Sequence, residues 1–481
     1  MMQYFKSLSF NTKRILFFLT GVLISVFIGY ATIVLGVMAA LAIVMLSALV
    51  LLQIFYFSNP KSTLYALISY CFLYGILMRE VGGPIPYGTL IEVLIGFCWV
   101  VSIVKVPIHE WGVVKTDLFY ILLFWFALSV LEVINPAGAS VMGWLQEIRS
   151  AALYPFIIVP VAYLLFNSNK DLNLFLKMIL VYSVFAALNG IKQLHFGLSS
   201  GEQAFLDQGA ANTHVLFGKL RVFSFYSEAG QFGASQAQMS LMALILALGP
   251  FKWWKRVLLL IGALLMFYGM LISGTRGALF ALVVGAFVAI VLSKRFKAMI
   301  QGGVAAVLFL CFLKFTSIGN GNYQIYRLRT ALDPQDASLN VRLHTQQVLA
   351  EYMSTIPFGG GLGVLGAAGN MYNQDKFLST IQPDSYWVKI WAMYGVVGLT
   401  IWIGIMMYIL GKCCGIVWKL KDPGLRIKCI ALTAGFAGIF FCSYGNEVIN
   451  TMPSSIVVYI SWVFVFISPK LDRDILEQNL I

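Results

Sequence analysis

The sequence predicts an all-α, polytopic membrane bundle of about fourteen transmembrane helices with one long helical loop outside the membrane. Three observations carry that prediction. Hydrophobic residues fill 60% of the 481 positions and charged residues only 11%, a balance outside the range of soluble domains. The apolar residues come in runs close to the roughly 20 helical residues that cross a bilayer core. The basic residues gather in short clusters on alternate linkers, the pattern that sets membrane orientation.

Taken in order, the runs are 15–30, 33–56, 64–79, 87–105, 117–135, 149–166, 172–193, 231–249, 255–272, 276–293, 303–316, 386–410, 427–445 and 452–468. Only Ala31-Thr32 separates the first two, and no small-residue cleavage site follows the first, so a removable signal peptide is not expected. Lys13, Arg14, Lys61, Lys105, Lys115, Lys170, Lys252, Arg256, Lys294, Lys412, Lys421, Arg426 and Lys470 all fall on one set of linkers. That set is expected inside, with both termini cytoplasmic. The formal charge of +13 is therefore spread over linkers. It forms no stripe or tail of the kind nucleic acid requires. The seven cysteines lie in apolar runs or basic linkers and show no zinc spacing, so neither a metal site nor a cofactor is expected.

Two segments break the rhythm, and both are expected outside. The first, 195–230, carries Glu202, Asp207, His214, Lys219, Arg221 and Glu228. The second, 317–385, is far longer than an ordinary connection. Within it Ser338 is placed to cap a helix running to about Ser354, ended by Pro357 and followed by a flexible Gly359-Gly360-Gly361-Leu362-Gly363. A small helical cap over the outer mouth is the expectation. Gly361 to Gly366 formally matches G-x-G-x-x-G, but no strand precedes it and no βαβ unit surrounds it, so it is not read as a nucleotide site.

Orientation turns positions into depths. Arg149 opens the sixth run, Arg221 and Glu228 precede the eighth, Arg276 opens the tenth, and Asp384 stands just before the twelfth. Arg327, Arg329, Arg342 and His344 come from the loop that could fold over them. Each has a plain alternative: Arg276 as a snorkelling helix-end anchor, Arg149 paired with Glu147, the rest as solvated surface. Several guanidiniums and two acids at one level favour an anionic ligand, because ionisable groups near a bilayer are costly. A diphosphate fits, since arginine binds phosphate bidentately and steadies charge on a leaving group. No inner linker is long enough for a nucleotide-sugar domain, so a glycan enzyme of this build would take its donor from lipid.

At these residues the chain resembles the O-antigen ligase and O-antigen polymerase superfamily of bacterial membrane glycosyltransferases. Four stretches carry the resemblance: Arg221-Val222-Phe223-Ser224-Phe225, Ser273-Gly274-Thr275-Arg276-Gly277-Ala278, Val341-Arg342 through Pro357-Phe358-Gly359-Gly360-Gly361, and Asp384-Ser385-Tyr386 with Tyr394-Gly395-Val396-Val397-Gly398-Leu399. The resemblance implies a GT-C-like fold and an inverting, metal-independent transfer of a glycan from undecaprenyl diphosphate to an acceptor hydroxyl at the periplasmic face of the inner membrane. It places Arg221, Arg276 and Arg342 on the diphosphate. The implied partners are the lipid-linked donor, a glycan acceptor, membrane lipid and a chain-length regulator protein. The family's ligases typically carry a histidine where this chain has Asp384-Ser385, a departure that favours a polymerase.

For the base that takes the hydroxyl proton, the candidates are Asp384 and Glu228. Asp384 is preferred, with Tyr386 beside it to help seat a sugar. Glu228, seven residues beyond Arg221, would share its face if that stretch were helical. His344 neighbours the phosphate-facing Arg342 and is set aside. The expected organisation is transmembrane residues 1–316, the outer loop 317–385, and transmembrane residues 386–481 with a cytoplasmic tail. A ligase acting on lipid A core is the nearest alternative. A lipid-linked glycan flippase is the alternative from another class, and it should show polar residues at both faces.

Overall fold

The computed structural model describes residues 59–478 except 84–85, 217, 295–299, 301–302, 305–306, 309–310, 313, 319–322, 331–336 and 383–384. Residues 323–325, 328, 337–339, 341 and 342 are described by backbone alone. The first two apolar runs and Asp384 lie outside the described residues. The chain divides into a unit of residues 1–63 and a unit of residues 64–481. In the described part of the first, the Thr63 hydroxyl, in the first turn of a helix, donates to the Pro60 carbonyl at 2.7 Å.

The predicted run 303–316 lies partly outside the described residues. Among the described residues, eleven long helices follow the predicted runs from residue 61 onward. They are α1 Lys61–Val81, α2 Tyr87–Lys105, α3 Asp117–Leu131, α4 Val141–Leu165, α5 Asn169–His195, α6 Ala229–Ala247, α7 Trp253–Ile272 and α8 Gly277–Leu292. After the long loop come α12 Tyr386–Lys419, α13 Pro423–Cys442 and α14 Ser454–Gln478. The loop itself holds α9 Tyr323–Thr330, α10 Ala337–Met353 and α11 Gly366–Tyr372. Among the described residues, nine helices are long and apolar enough to cross a membrane.

Polar residues at the run boundaries start these helices. Thr116 accepts from the Phe119 amide, Ser168 and Asp171 form a reciprocal capping box, and Asp422 accepts from the Leu425 amide. Each satisfies amides that a first helical turn leaves without partners.

The two long helices outside the nine differ for physical reasons. Helix α8 has only 16 residues. Helix α6 is long enough but carries Gln231, Ser235, Gln236, Gln238 and Ser240, all buried. It packs against α5, α7, α8 and α13, so these groups face protein rather than lipid. Gln236 donates to the Ser183 carbonyl at 3.2 Å, Ser240 to the Ala263 carbonyl at 2.8 Å, and Ser235 pairs with the Tyr226 hydroxyl at 2.8 Å. Hydrogen bonds between helices are how a bilayer protein tolerates such residues.

Helix α4 begins eight residues before the predicted run and passes through a π-turn at Arg149–Leu153. Arg149 is thus inside the helix rather than at its opening. Helix α12 breaks at Gly395, whose φ of 69° and ψ of −173° belong to a region that only glycine adopts readily.

Candidate functional site

The turn between α7 and α8 is built by its own short side chains. Ser273 donates to the Met270 carbonyl at 2.6 Å and accepts from the Thr275 amide at 3.1 Å. Gly274 takes a left-handed φ of 61°, which turns its carbonyl outward. Thr275 donates to the Ala229 carbonyl at 2.9 Å and so ties the turn to the head of α6. Arg276 is the N-cap residue of α8.

Two other arginines close on this turn. Arg327, on α9, donates through Nη2 to the Gly274 carbonyl at 3.1 Å. A Cβ on Gly274 would lie 3.6 Å from Arg327 Nε and 4.0 Å from Arg221 Cγ. The Arg221 amide donates to the His214 carbonyl at 2.7 Å and its Nη1 to the Thr213 carbonyl at 3.1 Å. Arg221 and Arg327 therefore close on one buried backbone bend, with Arg276 two residues beyond Gly274 at the head of α8.

The segment that delivers Arg221 is held from below. Arg79, buried on α1, donates to the carbonyls of Ser224 and Tyr226, and its guanidinium lies 5.0 Å from the Phe223 ring centre. A hairpin, β1 Val215–Leu216 with β2 Lys219–Leu220, precedes Arg221. Residues 221–227 are not helical, and Ser224 has a φ of 49°. The helical spacing expected between Arg221 and Glu228 does not hold. Glu228 is instead the exposed N-cap position of α6, one residue before the carbonyl that Thr275 grips. His214 is buried edge-on to Phe205 and Phe223, and desolvation holds its imidazole below the ordinary value.

The remaining candidates separate from this group. Arg149 pairs with Glu92 at 2.9 Å, not with Glu147, and Tyr154 donates to the same carboxylate at 2.8 Å. Arg329 donates to Thr316 Oγ1 at 3.1 Å and stacks over Phe312, which pins the root of the loop. Arg342 and His344 lie on α10; His344 is exposed, and the Arg342 side chain is outside the described residues. Tyr386 is 2% exposed and packs edge-on to Trp402, so it belongs to the core and cannot seat a sugar.

The glycine-rich stretch after α10 is fixed rather than flexible. The Gly360 and Gly361 amides donate to the carbonyls of Ala392 and Met393 at 2.8 and 2.9 Å, acceptors that the break at Gly395 leaves open. Asn373 then accepts from the Ser140 amide at 2.7 Å and donates to the Gly363 carbonyl at 2.9 Å, locking the loop to the head of α4. Helix α10 starts at Ala337, one residue ahead of the expected cap, and α9 and α11 are additional.

Sequence reasoning missed the segment at the centre of these ends, residues 443–453 between α13 and α14. Its Ser443 carbonyl accepts from the Tyr386 amide at 2.9 Å, and its Thr451 hydroxyl accepts from Gln231 at 2.9 Å. Asn446 fills the space that side chains at Gly230 and Gly277 would need. Beside it, Glu447 meets Lys389 of α12 at 3.2 Å, and Lys389 also meets Glu147 of α4 at 3.0 Å. A lone lysine near the start of an apolar run was the available signal, because an ionisable group there marks function by default.

A bundle with nine membrane-length helices and a cluster of arginines under a docked loop is a multi-pass membrane protein of the helical class. Residues 261–403 match the family model described as O-antigen ligase, from the middle of α7 through the turn, the loop and the broken part of α12. That match supports the O-antigen ligase and polymerase superfamily over the stretch from α7 to α12. No curated protein matches it.

Proposed function

We propose that the protein is a polysaccharide polymerase. It transfers a glycan from undecaprenyl diphosphate to a hydroxyl of a second lipid-linked repeat unit, building O-antigen, capsule or exopolysaccharide. The observation that carries this reading is the approach of Arg221 and Arg327 to the Gly274 bend, two residues before Arg276. Guanidiniums gathered at one backbone bend suit a diphosphate, whose charge grows as the anomeric C–O bond breaks. In this reading Arg342 of the loop is a further phosphate ligand. The transfer inverts the anomeric centre in one displacement and uses the arginines in place of a metal.

The loop-bearing end faces the periplasm of a bacterial inner membrane, with both termini in the cytoplasm. Residues 1–316 and 386–481 form the membrane parts, and 317–385 caps the mouth. Asp384-Ser385, where ligases carry histidine, supports polymerase over ligase. Asp384 and Glu228 are the candidate carboxylates for taking or relaying the hydroxyl proton. A chain-length regulator is a natural partner of such a reaction.

The test incubates the purified protein with lipid-linked repeat units extracted from its own source. A ladder of undecaprenyl-linked products is expected. Transfer to lipid A core would make it a ligase, and passage of intact lipid across vesicles would make it a flippase.

A further inference from the structure

Resting on that reading of the site, we infer that Glu447 is the base that accepts the acceptor's proton, held in place by Lys389 and Glu147. Three features of the structure lead there. The first is position. The 443–453 segment lies between the heads of α6, α8 and α12, the three helices that follow Arg221, Arg276 and Asp384. Asn446 fits between Gly230 and Gly277, so Glu447 sits one residue from the group that touches the neighbour of Arg276.

The second is fixation. Glu447 and Lys389 are 3.2 Å apart, and Glu147 holds Lys389 from the other side at 3.0 Å. A base must be held within reach of the proton it takes, and an ion pair to a lysine anchored on a second carboxylate does this better than an exposed cap residue. Glu228 is such a cap residue.

The third is access. Lys389 and Glu147 side chains are only 10% and 9% exposed, whereas Glu447 keeps 25%. Of the three it alone combines a buried anchor with an open edge. Burial also raises its carboxyl above the ordinary value, with Lys389 opposing that rise and Glu147, then Glu228, adding to it. A raised carboxylate is the stronger proton acceptor near neutrality.

The step balances simply. The acceptor oxygen forms its bond to the anomeric carbon while the bond from that carbon to the diphosphate oxygen breaks. The electron pair leaves on undecaprenyl diphosphate, beside the arginines. The hydroxyl proton passes to Glu447 and then to solvent. Lys389 and Glu147 touch no reacting atom and act as positioning residues.

The charged and titratable groups around Glu447 are Lys389 and Tyr386 on α12, Glu147 on α4 and Glu228 at the head of α6. Arg276 stands at the head of α8 beyond Asn446. The experiment compares the full-length native protein with Glu447→Gln, Glu447→Asp, Lys389→Met, Glu228→Gln and Asp384→Asn. Each is assayed for ladder formation on the extracted lipid-linked repeat units and for binding of undecaprenyl diphosphate. Glu447→Gln should lose about 100-fold or more in kcat while binding undecaprenyl diphosphate as the native protein does. Glu447→Asp should recover part of the rate. Lys389→Met should move the acid limb of kcat/KM to higher pH, because loss of a neighbouring cation makes the carboxylate easier to protonate.

A Glu447→Gln protein that polymerises at the native rate overturns the assignment. So does one that loses binding and turnover together with no recovery in Glu447→Asp, and so does a catalytic loss confined to Asp384→Asn or Glu228→Gln. Absence of any transfer by the native protein would instead reject the polymerase reading itself, and the base with it.

Discussion

Replacing Gly395 with alanine should release the loop from the bundle without unfolding the bundle. A Cβ at Gly395 would overlap the Pro357 carbonyl and lie 2.5 Å from the Gly359 amide nitrogen, both of them backbone atoms that no rotamer can clear. The φ of 69° and ψ of −173° add strain of about 1–3 kcal/mol for any residue with a Cβ. Relief of that strain would separate the 357–361 segment from α12 and break the bonds from Gly360 to Ala392 and from Gly361 to Met393. Two such hydrogen bonds contribute about 1–3 kcal/mol together. Opening breaks those bonds in the native protein as well, so the strain alone sets the difference, about 1–3 kcal/mol or roughly 5-fold to 150-fold more frequent opening. Hydrogen exchange with mass spectrometry on protein in nanodiscs reads this directly in a peptide covering 358–363. Peptides from α13 and α14 serve as the control and should not change. Exchange in 358–363 within a factor of about three of the native protein would refute the docking of the loop onto the broken helix.

Arg276→Ala should lower turnover by the equivalent of about 2.7–4 kcal/mol, as for one lost oxyanion donor, and Arg276→Lys should recover little because the planar fork is gone. Near-native turnover in the folded alanine variant would return Arg276 to the role of a helix-end anchor. Gly277→Ala should displace the Asn446 side chain, which sits where the new Cβ would be, and cut activity while leaving the melting temperature nearly unchanged. Equal activity in that variant would detach Asn446 from the site. Turnover should fall as pH drops through the raised value of Glu447, because only the ionised carboxylate accepts a proton; a profile flat to mildly acidic pH would count against any carboxylate base. A cysteine at His344 should react with an impermeant thiol reagent in intact spheroplasts and one at Lys421 should not. The opposite result would invert the orientation.

Much of the bundle was legible because a lipid-facing helix must be apolar at nearly every position, and that requirement is written locally. The ends of α5 and α13 follow from Ser168, Asp171 and Asp422 for the same reason. The loop was less legible. The Gly359–Gly361 stretch reads as flexible by composition, yet it is fixed by carbonyls more than thirty residues away that only the break at Gly395 makes available. The site divides in the same way. The Ser273–Gly277 turn and Arg221 could be found because glycine and arginine at a span boundary are conspicuous. Lys389 was just as conspicuous, but its partners Glu147 and Glu447 come from distant parts of the chain, and only packing joins them. Tyr386 misled for the converse reason: position beside a polar residue says nothing of which way a ring faces.

The glutamines and serines of α6 bear on how the protein is made. A segment that polar gains little by partitioning into lipid on its own, and its buried side chains find partners on α5, α7, Tyr226 and the 443–453 segment. The latest of these is synthesised some two hundred residues after α6 itself. Biogenesis must therefore hold α6 in a sheltered place, such as the insertion machinery, until the C-terminal helices emerge. A nascent chain stopped before α13 should leave α6 accessible to water and to proteases, so that truncation harms the middle of the protein more than the helices beside the cut.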